Sequence, residues 1–216
     1  MKNSLKSLFT VFIILFLCIL GACAKKELKY YSDYIWKPDT EEGRRLKLLY
    51  QEELFNIYKQ LSGFNFPVQK NGIGFTISEK CQTEGCMYEE LIRFWLFIAC
   101  PLDVSVSANT YKTFENRAEY AIEKRLPDIL LPLKKIDFNK IFSDKRFDGI
   151  MLSFTWQVKE FPKELIGRSN YETARVYISK DIYTKYINKE IDINELLNNS
   201  EIYLKLGPNK SKKINI

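Results

Sequence analysis

Ile150-Met151-Leu152-Ser153-Phe154-Thr155-Trp156-Gln157-Val158-Lys159 is the stretch that decides the fold class. Ile150, Leu152, Phe154, Trp156 and Val158 fall on one side of an extended chain, and Met151, Ser153, Thr155, Gln157 and Lys159 on the other. Successive side chains of a strand point to opposite faces. The alternation therefore predicts a strand with one apolar and one wet face, as in an antiparallel sheet covered on one side.

Working outward, residues 172–178 read as a second strand with Ala174, Val176 and Ile178 inward. Short helices are expected at 181–190 and 193–198, then a last strand at 202–206 and a solvated basic tail from 207, with Lys210, Lys212 and Lys213. Upstream, Phe114, Ala118, Ala121, Ile122 and Leu126 recur at helical spacing and predict a helix over 112–126, with Pro127 at its end or kink. The apolar run of 88–99 is β-branched and aromatic and is read as a strand covered on both faces, although its spacing also fits a helix. Ile73, Phe75 and Ile77 alternate in a further short strand. One helix is expected over 41–62, capped by Asp39 or Thr40, with Glu41 and Glu42 in its first turn and Gly63 as a left-handed stop. Leu46, Leu49, Tyr50, Leu54, Ile57, Tyr58 and Leu61 form its buried stripe. Runs of this order predict an α+β fold, a mainly antiparallel sheet with helices packed on one face, and no internal repeat.

The chain begins with Lys2 and Lys6 and no acid, then an apolar run from Leu8 to Leu20 broken only by Thr10. A basic start, a short apolar run and small residues make a secretory signal. A helix that stays in the bilayer needs about 17–25 apolar residues, and this run ends well before Lys25 and Lys26. Leu20-Gly21-Ala22-Cys23 resembles the lipobox of bacterial lipoproteins. The resemblance implies cleavage before Cys23, a diacylglycerol thioether on its sulfur, and acylation of the new amino terminus. It covers the signal and says nothing of the domain behind it. Two or more acyl chains anchor firmly where one does not. Ala24 is not the aspartate that marks inner-membrane retention in enteric bacteria, which directs the expected address to the outer membrane, at its periplasmic face or at the cell surface. The organisation expected is a signal at 1–22, a lipidated start and tether at 23–39, one α+β domain at 40–206 and a basic tail at 207–216. Tyr30, Tyr31, Tyr34 and Trp36 make the tether aromatic, and packing on the domain is favoured over a place at the bilayer interface.

Composition narrows the chemistry. The formal charge of +6 falls by two with the signal, too mild and dispersed for a nucleic-acid partner. Histidine is absent, so Ser-His-Asp and Cys-His catalysis and histidine-ligated zinc are excluded. No serine has a lysine three residues later, Gly72-x-Gly74 lacks the helix a phosphate loop needs, and the pairs Glu41–Glu42, Glu52–Glu53 and Glu89–Glu90 read as charged surface. The chain has five cysteines. In an oxidising envelope Cys81 and Cys86, at the mouth of a hairpin between two strands, are placed to form a structural disulfide. The residues also admit Cys86–Cys100 or Cys81–Cys100. The spacing is not that of a redox pair, and a fourth metal ligand is lacking. No catalytic residue, metal site or cofactor is indicated. The expectation is a lipid-anchored, non-enzymatic binding or structural domain of the envelope, held to the membrane through Cys23 and open to an envelope protein partner. A carboxylate-based hydrolase and an accessory subunit of an envelope assembly or transport machine are the alternatives.

Overall fold

A computed structural model describes residues 33–38, 40–64, 66–79, 81, 93–160, 170–207 and 210–216. In chain order the elements are α1 (Glu41–Leu49), α2 (Gln51–Gly63), β1 (Ile73–Ile77), β2 (Phe94–Ser107), α3 (Phe114–Leu133), α4 (Asn139–Phe142), β3 (Phe147–Lys159), β4 (Tyr171–Ser179), α5 (Lys180–Ile187), α6 (Ile193–Asn198), β5 (Glu201–Gly207) and β6 (Lys210–Ile214). The strands form one sheet in the order β1-β2-β3-β4-β5-β6. Neighbours run antiparallel except β2 and β3, which are parallel and joined by the crossover through α3. The fold is α+β, as the alternation predicts.

The alternation of β3 is realised. Ile150, Leu152, Phe154 and Trp156 are fully buried, and they join Leu96 and Ile98 of β2, Val176 of β4 and Ile202 of β5 in one core. Buried residues of the helices join the same core, among them Leu46, Leu54, Ile57, Leu61, Ile122, Leu130, Tyr183 and Leu196. The opposite face departs from the expectation of a wet side. Met151 is 1% exposed, because Trp95 of β2 and Tyr177 of β4 meet above it with ring centroids 5.1 Å apart, and Tyr203 follows at 5.8 Å. Only further along, at Ser153, Thr155 and Gln157, is that face half-exposed.

The single helix expected over 41–62 is two helices. Tyr50 breaks it with φ −111° and ψ 20°, its ring packing edge-on against Phe75 and Phe147 while its hydroxyl donates to Asp144 at 2.6 Å. The ring is held in the core, whereas Leu49 beside it, expected inside, is 57% exposed. Thr40 supplies the cap, accepting from the Gly43 N–H at 3.1 Å. Gly63 is the last helical residue rather than a left-handed stop, and Phe64 closes α2 with negative φ.

α3 also corrects the sequence reading. It runs through Pro127 to Leu133 instead of ending near residue 126. A proline deprives the carbonyl four residues earlier of its donor; here those residues, Glu123 for Pro127 and Asp128 for Pro132, are exposed, so water can serve them. Its N-terminal end is pinned to β4 by Arg117, whose guanidinium grips both oxygens of Glu172 at 2.8 and 2.5 Å in a pair that is almost fully buried.

The tail is a strand whose lysines stay exposed. Lys210–Ile214 forms β6, paired with β5 from Ile202↔Ile214 to Gly207↔Lys210. Its lysines find carboxylates, Lys212 to Glu115 and Lys213 to Glu201, both at 2.6 Å. The described part of the aromatic tether packs on the domain. Ile35 is fully buried and bridges to Ile73, Tyr34 stacks on Tyr58 at 4.9 Å, and Trp36 meets Phe75 edge-on. Gly74 is required for this: a Cβ there would lie 2.3 Å from Trp36 Cβ. Tyr30 and Tyr31 lie outside the described residues.

Candidate functional site

Three prolines line an apolar concavity among the described residues. Pro101 lies inside β2 and brings no N–H to the ladder. From there to Ser105 the register with β3 shifts, and the chain between, with Leu102, swings off the sheet as a bulge. α3 passes beside this bulge, and Ile129, Leu131 and Pro132 near its end line the groove. The third wall is the chain leaving α2, with Phe64, Phe66 and Pro67. Between the three walls lies an apolar groove of about 430 Å³, within the range of ~300–1,000 Å³ typical of ligand sites.

Arg125 ties the groove together. It donates to the backbone oxygen of Asp103 in the bulge at 2.9 Å and approaches the Asp128 carboxylate at 3.4 Å. Lys135 stands at the rim with its ammonium 4.9 Å from the Phe64 ring centroid. Phe64 and Leu131 remain 42% and 64% exposed beside the opening. Cys100 closes the floor. It is free and 1% exposed, and burial pushes its thiol well above the usual range, so it sits there as a small apolar side chain.

A second cluster sits on the opposite sheet face. Glu79 is 1% exposed, yet its carboxylate accepts from Arg175 and Lys205, each at 2.7 Å, from the Tyr177 hydroxyl at 3.1 Å, and from Ser211. These partners come from β4, β5 and β6, while Glu79 lies two residues past β1. In a flat sheet, five spacings of about 4.8 Å would keep β1 and β6 about 24 Å apart, and two residues reach only about 7 Å. The sheet therefore twists and curls until its two edges share one carboxylate. Burial works against ionisation of Glu79, but the hydrogen bonds from Lys205 and Ser211 and the Arg175 charge outweigh it and hold the acid at about 2. Asp144 is likewise held well below the carboxylate range, first by the Arg146 guanidinium and then by Tyr50, whose own hydroxyl is pushed up to about 12 by burial and by Asp144.

Of the residues marked in the sequence, Cys23, Cys86, Glu89 and Glu90 lie outside the described residues. Cys81 is engaged in a disulfide whose other half lies outside them too. The free thiol of Cys100 sets aside both pairings that would use it. Glu42 pairs with Arg45 and Arg146 as a charged surface would, whereas Glu53, paired with Lys140, is largely buried, its side chain 16% exposed. Among the described residues no group of side chains could hold a metal ion, and no helix is long and apolar enough to cross a membrane. The groove itself is not apparent in the sequence reading. Its signal was a proline in each wall, at 67, 101 and 132, which reads locally as three unrelated breaks. No family model, curated protein or solved structure matches the chain.

Proposed function

We propose that this chain is a lipid-anchored binding protein of the bacterial cell envelope, held by acyl chains on Cys23 and working through the groove between β2, α2 and α3. The observation that carries the binding reading is the groove itself: a pre-formed apolar concavity with two large apolar side chains exposed at its mouth and a cation at its rim. The address and anchor rest on the Leu20-Gly21-Ala22-Cys23 motif, and with them the outer membrane as location and the Cys81–Cys86 disulfide as a staple of an oxidising compartment. The carboxylate-hydrolase alternative would need one acid raised and another lowered. Glu79 and Asp144 are both lowered and saturated with donors, which suits charged struts rather than a proton donor.

The test is saturable binding of a polarity-sensitive naphthalene sulfonate dye to the purified lipoprotein. Leu131→Glu, at an exposed position where folding tolerates charge, is expected to weaken binding at least tenfold with the melting temperature unchanged. Equal binding by the variant would remove the groove as the site. Mass spectrometry of the membrane fraction tests the anchor independently, and an unmodified Cys23 would sink it.

A further inference from the structure

The chain enters the domain beside the groove. The Asp33 carbonyl accepts from the Asn71 N–H at 2.9 Å, and the adjoining Gly72 carbonyl accepts from Ala99 at 2.7 Å, one residue before Cys100 in the groove floor. Asp33 follows Cys23 by ten residues, which reach about 33–36 Å even fully extended. An anchor at Cys23 thus keeps this end of the sheet within a short tether's length of the bilayer, where membrane lipid is at high local concentration.

From this position we infer that the occupant of the groove is one acyl chain of a bilayer phospholipid, drawn up while the domain rests with its groove toward the membrane. This rests on the lipid-anchored binding reading and adds ligand and orientation to it. The walls suit the ligand: Leu102, Ile129, Phe66 and the prolines offer an apolar surface, and of Arg125 the two Nη groups go to Asp103 and Asp128. The rim suits it too. Lys135, just past α3, holds its ammonium 4.9 Å from the Phe64 ring centroid and places a positive charge at the rim, where anionic headgroups would lie. Phe64 and Leu131, costly to leave in water, would then enter the interface.

The experiment uses the full lipoprotein in vesicles of phosphatidylethanolamine and phosphatidylglycerol that carry a phospholipid with a diazirine at the end of one acyl chain. After illumination, adducts are mapped by peptide mass spectrometry. The expected result is labelling of the peptides around Leu102 and Ile129, reduced at least tenfold in Ile129→Trp, which fills the groove, and in Leu131→Glu, which charges its mouth. Labelling confined to other surfaces, or unchanged in both variants, overturns the inference. Groove labelling that appears only in Cys23→Ser also overturns it, because the protein's own acyl chains would then be the occupant. Failure of the anchor is read separately from the mass of the Cys23 peptide in the same digest, so an unmodified Cys23 with a labelled groove would sink the tether and leave the ligand.

Discussion

A carboxylate shut away from water stays charged only where donors replace the water it lost. Glu79 has four described donors of this kind, two of them cationic, and its acid is depressed from the ordinary 4.5 to about 2. A depressed folded-state value stabilises above the unfolded value and loses that stability as pH falls through the folded one. The contribution is therefore full above pH 4.5 and disappears toward pH 2, with a size on the order of 3 kcal/mol. Glu79→Gln leaves Arg175 and Lys205 short of their counter-charge and is expected to lower the unfolding free energy at pH 7 by about 3–5 kcal/mol. Urea titrations from pH 7 to pH 2 check both statements: the variant's stability should fall less steeply with acid than that of the parent. None of this was legible locally, because Glu79 sits in a short polar stretch and meets its partners 96 to 132 positions later.

Elements were legible where a face decides them and illegible where a contact does. β3, β4 and the capped helices α5 and α6 follow their own side-chain periods, and the structure reproduces them. The break at Tyr50 has no glycine or proline to announce it; Asp144, far along the chain, imposes it. Pro127 gives the opposite lesson, since a residue that ends helices in isolation is tolerated on an exposed face of a helix whose other side is buried. Pro127→Ala restores a backbone hydrogen bond and is expected to raise stability by about 1–2 kcal/mol, allowing for the looser unfolded chain, as a shift in the denaturant midpoint would show. β6 was missed because closely spaced lysines resemble a solvated tail, yet lysine is what an edge strand carries to discourage pairing with other chains. Its removal tests the assignment. A chain truncated after Gly207 loses one of the two partners of β5 and the Ser211 bond to Glu79. It is expected to melt at least 10 °C lower and to aggregate, measured by thermal denaturation with light scattering.

At the scale of the molecule, the proposed lipid anchor and the folded domain are expected to be separable. Ile35 is fully buried, bridges to the β1 edge and lies twelve residues beyond Cys23. Trp36 covers Gly74, and its carbonyl accepts from Lys47 at 2.9 Å, tying the incoming chain to α1. The domain thus reaches back at least to Ile35, earlier than the start at 40 that helix periodicity suggested, because an isolated Ile-Trp pair has no period to read. Two substitutions separate the roles. Cys23→Ser is expected to abolish lipid attachment and leave the denaturant midpoint of the domain within error, since the core contacts described begin at Ile35. Ile35→Ala is expected to leave Cys23 lipidated while costing about 2–5 kcal/mol, the loss of a large apolar side chain and the cavity that remains. Intact mass of the membrane-extracted protein and its urea unfolding curve read the two outcomes side by side. If Cys23→Ser unfolded as readily as Ile35→Ala, the anchor would have to contribute to the fold, and the separation of the two roles would be wrong.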